Sequence, residues 1–172
     1  NNIEQGIRDL AGAGAQQIVV PNLPDLGRFP MRSNEPESSA VTELVEQHNA
    51  LLGSRLTALE GELGIDLIRF DLYTLANDVL DDPASFGFTN ATDPCLTETT
   101  ECSTPSTYVF WDTIHPSSGI HDLTATRFAE TLQQLAAHRD KSRELRQQVV
   151  RKLAYPVMLV VLGSGLITFL PV

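Results

Sequence analysis

Three short apolar runs, set far apart along the chain, do most to limit what it can fold into. They are Gln17–Val20 (QIVV), Ile65–Phe70 (IDLIRF) and Tyr108–Trp111 (YVFW). Each lies between turn-forming residues and reads as a buried strand. The stretches between them are too long for hairpins, so the strands lie parallel and need crossover helices. The sequence supplies those helices. Residues 3–11 read as a helix that stops at Gly12 and Gly14. Residues 39–63 carry an apolar stripe at three- and four-residue spacing that includes Leu44, Val45, Leu51, Leu52, Leu56 and Leu59. His48 falls on the same stripe, and Gly64 ends it. Residues 71–80 read as a short helix, and 118–138 as a longer one with Ile120, Leu123, Phe128 and Leu132 on one face. PNLPDLGRFP (21–30) and residues 83–106 read as loops. The order αβαβαβα predicts an α/β fold, a parallel sheet with helices on both faces.

In such a sheet, chemistry gathers at the carboxyl ends of the strands. Loops 21–30, 71–73 and 112–116 leave those ends. The last, Asp112-Thr-Ile-His115-Pro, places an aspartate three residues before a histidine. A histidine base needs a carboxylate at Nδ1 to fix its tautomer and stabilise the imidazolium. By spacing alone, a structural Asp–His hydrogen bond is the better explanation of the pair.

Charge and composition narrow the function classes. The 172 residues fit one domain with a real core, and the net charge of −10 excludes a general nucleic-acid binder. That charge is uneven. Residues 1–138 carry 20 acidic and 6 basic side chains, while residues 139–172 carry 2 acidic and 6 basic. The sign changes just before a run of 20 uncharged residues, 153–172. As a helix at about 1.5 Å per residue, that run matches one bilayer core. Arg143, Arg146, Arg151 and Lys152 would place its leading end on the cytoplasmic side. The expected organisation is therefore a domain over 1–138, a basic linker helix over 139–152 and a transmembrane helix over 153–172. The chain starts at Asn1, with no methionine and no signal peptide, and reads as a fragment or a processed product.

YVFWDTIHPSSGIHDLTA resembles the last conserved block of GDSL-type esterases and lipases, the SGNH hydrolase superfamily. PNLPDLGRFP and DPASFGFTNATDPC resemble earlier blocks of the same family, in the same order. The likeness spans about residues 1–137 and is nearest the secreted lipase–haemolysin and autotransporter-esterase branch. It implies part of a three-layer α/β/α, flavodoxin-like fold. It also implies hydrolysis of carboxylic esters, among them acyl esters of lipids or phospholipids, with no metal or organic cofactor. Asp112 would orient His115, and His115 would activate a serine and then protonate the leaving alcohol. His121 does not match the catalytic position and reads as a helix-surface or capping residue. His48 reads as a core histidine, and His138 as solvated. Cys95 and Cys102 would form a disulfide by the same resemblance, which points to an extracellular or periplasmic protein. Two free loop thiols are the plainer reading. Asn90-Ala91-Thr92 also matches a glycosylation sequon, a pattern common by chance.

The nucleophile is missing from this pattern. No Gly-Asp-Ser occurs in the chain, and neither the second-block glycine nor a G-x-N-D asparagine has a match. Asn22 belongs to a later loop, and Gly53-Ser54 lies within a helical stripe. The chain thus holds the acid–base half of a triad, and little esterase activity is expected from it alone. Residues 140–172, above all RKLAYP and the apolar run, resemble a segment of the inner-membrane platform proteins of type II secretion and type IV pilus systems. That implies a structural, membrane-anchored role at a bacterial inner membrane. A fused fragment related to secretion systems is the alternative to a hydrolase. A third reading is a degenerate domain whose acidic surface binds cationic partners.

Overall fold

The computed structural model describes residues 2–33 and 35–168. Side chains at 138–140, 142, 143, 146, 150, 151 and 153–168 lie outside that description, as does everything at 169–172. By its packing the chain divides into residues 1–128 and residues 129–172. The core and the site described below belong to the first unit.

The elements are α1 (Asn2–Gly12), β1 (Gln17–Pro21), α2 (Ser38–Leu63), β2 (Asp66–Phe70), α3 (Leu72–Asp81), β3 (Asn90–Pro94), β4 (Tyr108–Phe110) and α4 (Ser118–Thr168). Single 3-10 turns lie at 26–28, 83–86 and 105–107. β1 and β2 are parallel, with Gln17 opposite Asp66 and Pro21 opposite Phe70. β3 and β4 are also parallel, with Asn90 opposite Tyr108 and Pro94 opposite Phe110.

The structure departs from expectation at three points. The parallel strands form two separate pairs, not one three-stranded sheet. β3 lies inside the stretch 83–106, which reads as loop. Its sequence, NATDP, lacks apolar alternation and is rich in turn formers. Pairing with β4, not intrinsic preference, makes it a strand. The helix expected over 118–138 runs unbroken to Thr168, so the backbone does not mark the 138/139 and 152/153 boundaries. Among the described residues, no helix is long and apolar enough to cross a membrane. The transmembrane expectation for 153–172 falls outside the described side chains.

Two clusters make the core. α1 and α2 cover the first strand pair through Ile7, Leu52, Leu56 and Leu59, which meet Val20 and Leu67. Around the second pair, Val79 of α3 and Ile120 of α4 meet Phe88, Ala91, Val109 and Phe110. Burying a side chain such as Leu56 contributes roughly 1.5–3 kcal/mol. The apolar stripe of α2 is only half used. Val45, Leu52, Leu56 and Leu59 are buried, but Leu44 and Leu51 are 64% and 67% exposed. A two-stranded sheet is too narrow to cover the whole stripe. His48, on its uncovered side, is half-buried rather than a core residue.

Glycine is required where the loop after β1 meets α2. A Cβ on Gly27 would overlap Thr42 Oγ1 and the Ser38 carbonyl oxygen. Asp25, 3% exposed, holds this contact by accepting from the Gly27 N–H and the Thr42 hydroxyl. Gly53, in mid-helix, has open space around it. Urea unfolding should therefore separate the two glycines. Gly27→Ala is expected to destabilise by about 1–3 kcal/mol through overpacking, while Gly53→Ala stabilises by about 0.5–1 kcal/mol. Equal effects would show that the Gly27 contact is not made.

Candidate active site

β4 ends at Phe110, and the chain turns back at once. The Trp111 N–H donates to the His115 carbonyl at 2.8 Å, and Phe110 bridges to Pro116. Inside this turn, Asp112 Oδ1 accepts from the N–H groups of Ile114 and His115 at 2.8 and 2.7 Å. This is the aspartate turn that its short acceptor side chain favours. Asp112 Oδ2 lies 2.7 Å from His115 Nδ1. An ionised carboxylate only accepts, so Nδ1 carries the proton and the neutral ring presents Nε2 as an acceptor. The Asp112 carboxyl is held down at about 2, first by the His115 N–H, then by the Ile114 N–H and the imidazole. Asp112 is therefore charged wherever histidine ordinarily titrates. The His115 side chain is 71% exposed, against 32% for Asp112.

Three contacts anchor the turn. Buried Ser117 donates its N–H to the Val109 carbonyl and its hydroxyl to the Tyr108 carbonyl, which ties the start of α4 to β4. The Met31 N–H donates to the Thr113 carbonyl at 3.0 Å, from the loop after β1. A hairpin closed by the Cys95–Cys102 disulfide pairs beyond β3. There the Cys95 N–H donates to the Phe110 carbonyl and the Leu96 N–H to the Trp111 carbonyl. The backbone is thus paired up to the residue before Asp112. Sequence reasoning missed Ser117, Met31 and the hairpin's place. Only the two cysteines signalled the hairpin.

Elsewhere, polar side chains that the sequence singles out bond to one another and to the backbone. The Asn22 amide donates to Asp71 Oδ1 at 2.8 Å, and its oxygen accepts from the Tyr73 N–H. Asp71 caps α3 through the Thr74 N–H and hydroxyl. Ser54 donates to the Ala50 carbonyl within α2. Asn90 donates to Asp93 and accepts from two backbone N–H groups, so its sequon amide serves a local turn. His121 is exposed on α4, and the His138 side chain lies outside the described residues. Beside the turn is a cavity of about 140 Å³, walled by Phe29, Leu72, Leu80, Phe110, Pro116 and Ile120 among others. Among the described residues, no group of three His, Cys, Asp or Glu side chains is placed to hold a metal ion.

The sequence model described as GDSL-like Lipase/Acylhydrolase matches residues 1–128. The chain belongs to this family. A GDSL esterase/lipase, APG, of Arabidopsis thaliana is 29% identical over 147 residues, covering 73% of this chain and 42% of the relative. The thermolabile hemolysin of Vibrio parahaemolyticus is 26% identical over 148 residues, covering 76% of this chain and 35% of the relative. The chain thus spans well under half the length of these relatives. The family match covers all three resembling blocks and leaves the platform-protein resemblance of residues 140–172 outside it.

A depressed carboxyl stabilises the folded turn above its unfolded pKa, and that contribution is lost as pH falls through the folded value. The amide proton shifts of Ile114 and His115 should therefore titrate together with a midpoint at about 2. A midpoint near the ordinary aspartate value of about 3.9 would mean that the carboxylate does not hold the turn.

Proposed function

We propose that the protein is a carboxylic-ester hydrolase in which Asp112 and His115 are the acid–base half of a Ser-His-Asp triad. The observation that carries this reading is the 2.7 Å contact between Asp112 Oδ2 and His115 Nδ1, with the ring exposed at the end of β4. His115 Nε2 takes the proton of a serine hydroxyl as its oxygen attacks the ester carbonyl. The same nitrogen then returns the proton to the departing alcohol, leaving an acyl-enzyme. Water repeats the sequence and releases the acid. Asp112 stays ionised throughout and stabilises the imidazolium. The serine and the oxyanion donors belong to blocks outside these 172 residues. Family membership, and relatives more than twice the matched length, support that division.

The domain reading goes with it. Residues 1–138 carry the hydrolase portion, 139–152 a basic linker and 153–172 an apolar tail suited to a membrane. The Cys95–Cys102 disulfide supports an oxidising, extracellular or periplasmic setting for the hydrolase portion.

The test compares p-nitrophenyl ester hydrolysis by three proteins. They are this chain, this chain joined to the N-terminal blocks of a GDSL-family relative, and the joined form carrying His115→Ala. Only the joined form is expected to be active, and His115→Ala should lower its kcat by at least about 10³-fold. Asp112→Asn should cost about 10⁴-fold, because the amide favours the wrong tautomer. Activity that survives His115→Ala would overturn the assignment of His115, and a joined protein that folds but does not hydrolyse esters would overturn the hydrolase reading and leave a non-catalytic binding or membrane role.

A further inference from the structure

The walls of the cavity beside the Asp112–His115 turn have a defined chemistry. Leu72, Ala76 and Leu80 of α3 line it at four-residue spacing, so they stand on one face of the helix. The middle position is alanine, and that small side chain leaves the space open. A larger apolar residue there would complete the stripe and gain the contacts the void now lacks. On the far side of the turn, Pro116 follows His115 directly and is itself a wall residue. Pro24, from the loop after β1, and Leu72, at the start of α3, place the cavity at the carboxyl ends of the strands. His121 and Thr124, one turn apart on α4, are the polar side chains among those lining it.

We infer that this cavity holds the acyl chain of the ester, and that its size selects acyl groups of about six carbons. The inference rests on the hydrolase reading above and names its substrate class. A dry, apolar cavity of about 150 Å³ is known to take up benzene, a six-carbon group. The cavity here, at about 140 Å³, has the same capacity. Its apolar wall gives an alcohol group few partners. The acyl half is the part of the ester that suits the cavity.

The 172-residue chain tests this without any hydrolysis. Sodium hexanoate is titrated against it by methyl-detected NMR. Saturable shifts are expected at Leu72, Leu80 and Ile120. Ala76→Leu, which fills the cavity and keeps a strong helix former, should weaken hexanoate binding at least tenfold. Leu80→Ala, which enlarges it, should shift the preference from hexanoate to octanoate, so the inference does not hang on one variant folding. It is overturned if the shifts do not saturate, if they fall elsewhere, or if neither variant changes binding. The chain joined to the N-terminal blocks separates acyl binding from hydrolysis. If it hydrolyses esters with a hexanoyl-to-acetyl ratio that Ala76→Leu leaves unchanged, the cavity assignment fails and the hydrolase reading stands. If hexanoate binds and both variants act as expected while no form hydrolyses esters, the cavity stands and the hydrolase reading fails.

Discussion

The turn that presents His115 rests on one carboxylate. Asp112 accepts two backbone N–H groups through one oxygen and the imidazole Nδ1 through the other. The first two bonds shape the turn, and the third sets the ring's tautomer. Shape and chemistry therefore share one group, and that group keeps its charge down to about pH 2. A neutral side chain at 112 could fill part of this role but not all of it. An amide offers one acceptor oxygen where the turn uses two.

Around that turn, the fold works as a set of backbone ties. β4 is only three residues long, yet its neighbourhood is bound from three directions. β3 and the disulfide hairpin pair along it, Ser117 ties the start of α4 to it, and Met31 reaches the turn from the loop after β1. That loop is itself clamped to α2 through Asp25 and the close approach of Gly27. The path from the core to His115 thus runs through main-chain groups, which have little freedom to reorient.

Much of this was legible in the sequence, for identifiable reasons. The strands at 17–21, 66–70 and 108–110 are legible as short apolar runs between turn formers, although β1 buries only Val20 and β2 only Leu67 and Phe70, so the expectation of buried strands holds only in part. α2 ends at Gly64, where φ is +66°, as the glycine foretold. Asp112 and His115 stood out because a D-x-x-H turn after such a strand is a recognisable block. β3 was not legible. Only Ala91 of its five residues is buried, and its pairing is imposed from outside. Nor did the pattern show that the α2 stripe is covered on one side only, since periodicity records which residues are apolar and not how wide a surface they face. The cavity had no signature beyond Ala76, an alanine between two leucines on one helix face.

An imidazole that is 71% exposed is well placed to exchange protons and poorly placed to stabilise a transition state. Water screens the interaction between the imidazolium and a developing oxyanion, and excluding it strengthens that interaction several-fold. Whatever brings a serine to Nε2 must therefore also cover the ring. In the hydrolase reading, the same blocks carry out both tasks. Supplying the nucleophile alone, without the surface around it, would restore the bonding pattern of a triad but not its dielectric setting. Joined forms with the nucleophile block and differing amounts of flanking structure should then differ in kcat while sharing the same Asp112–His115 geometry.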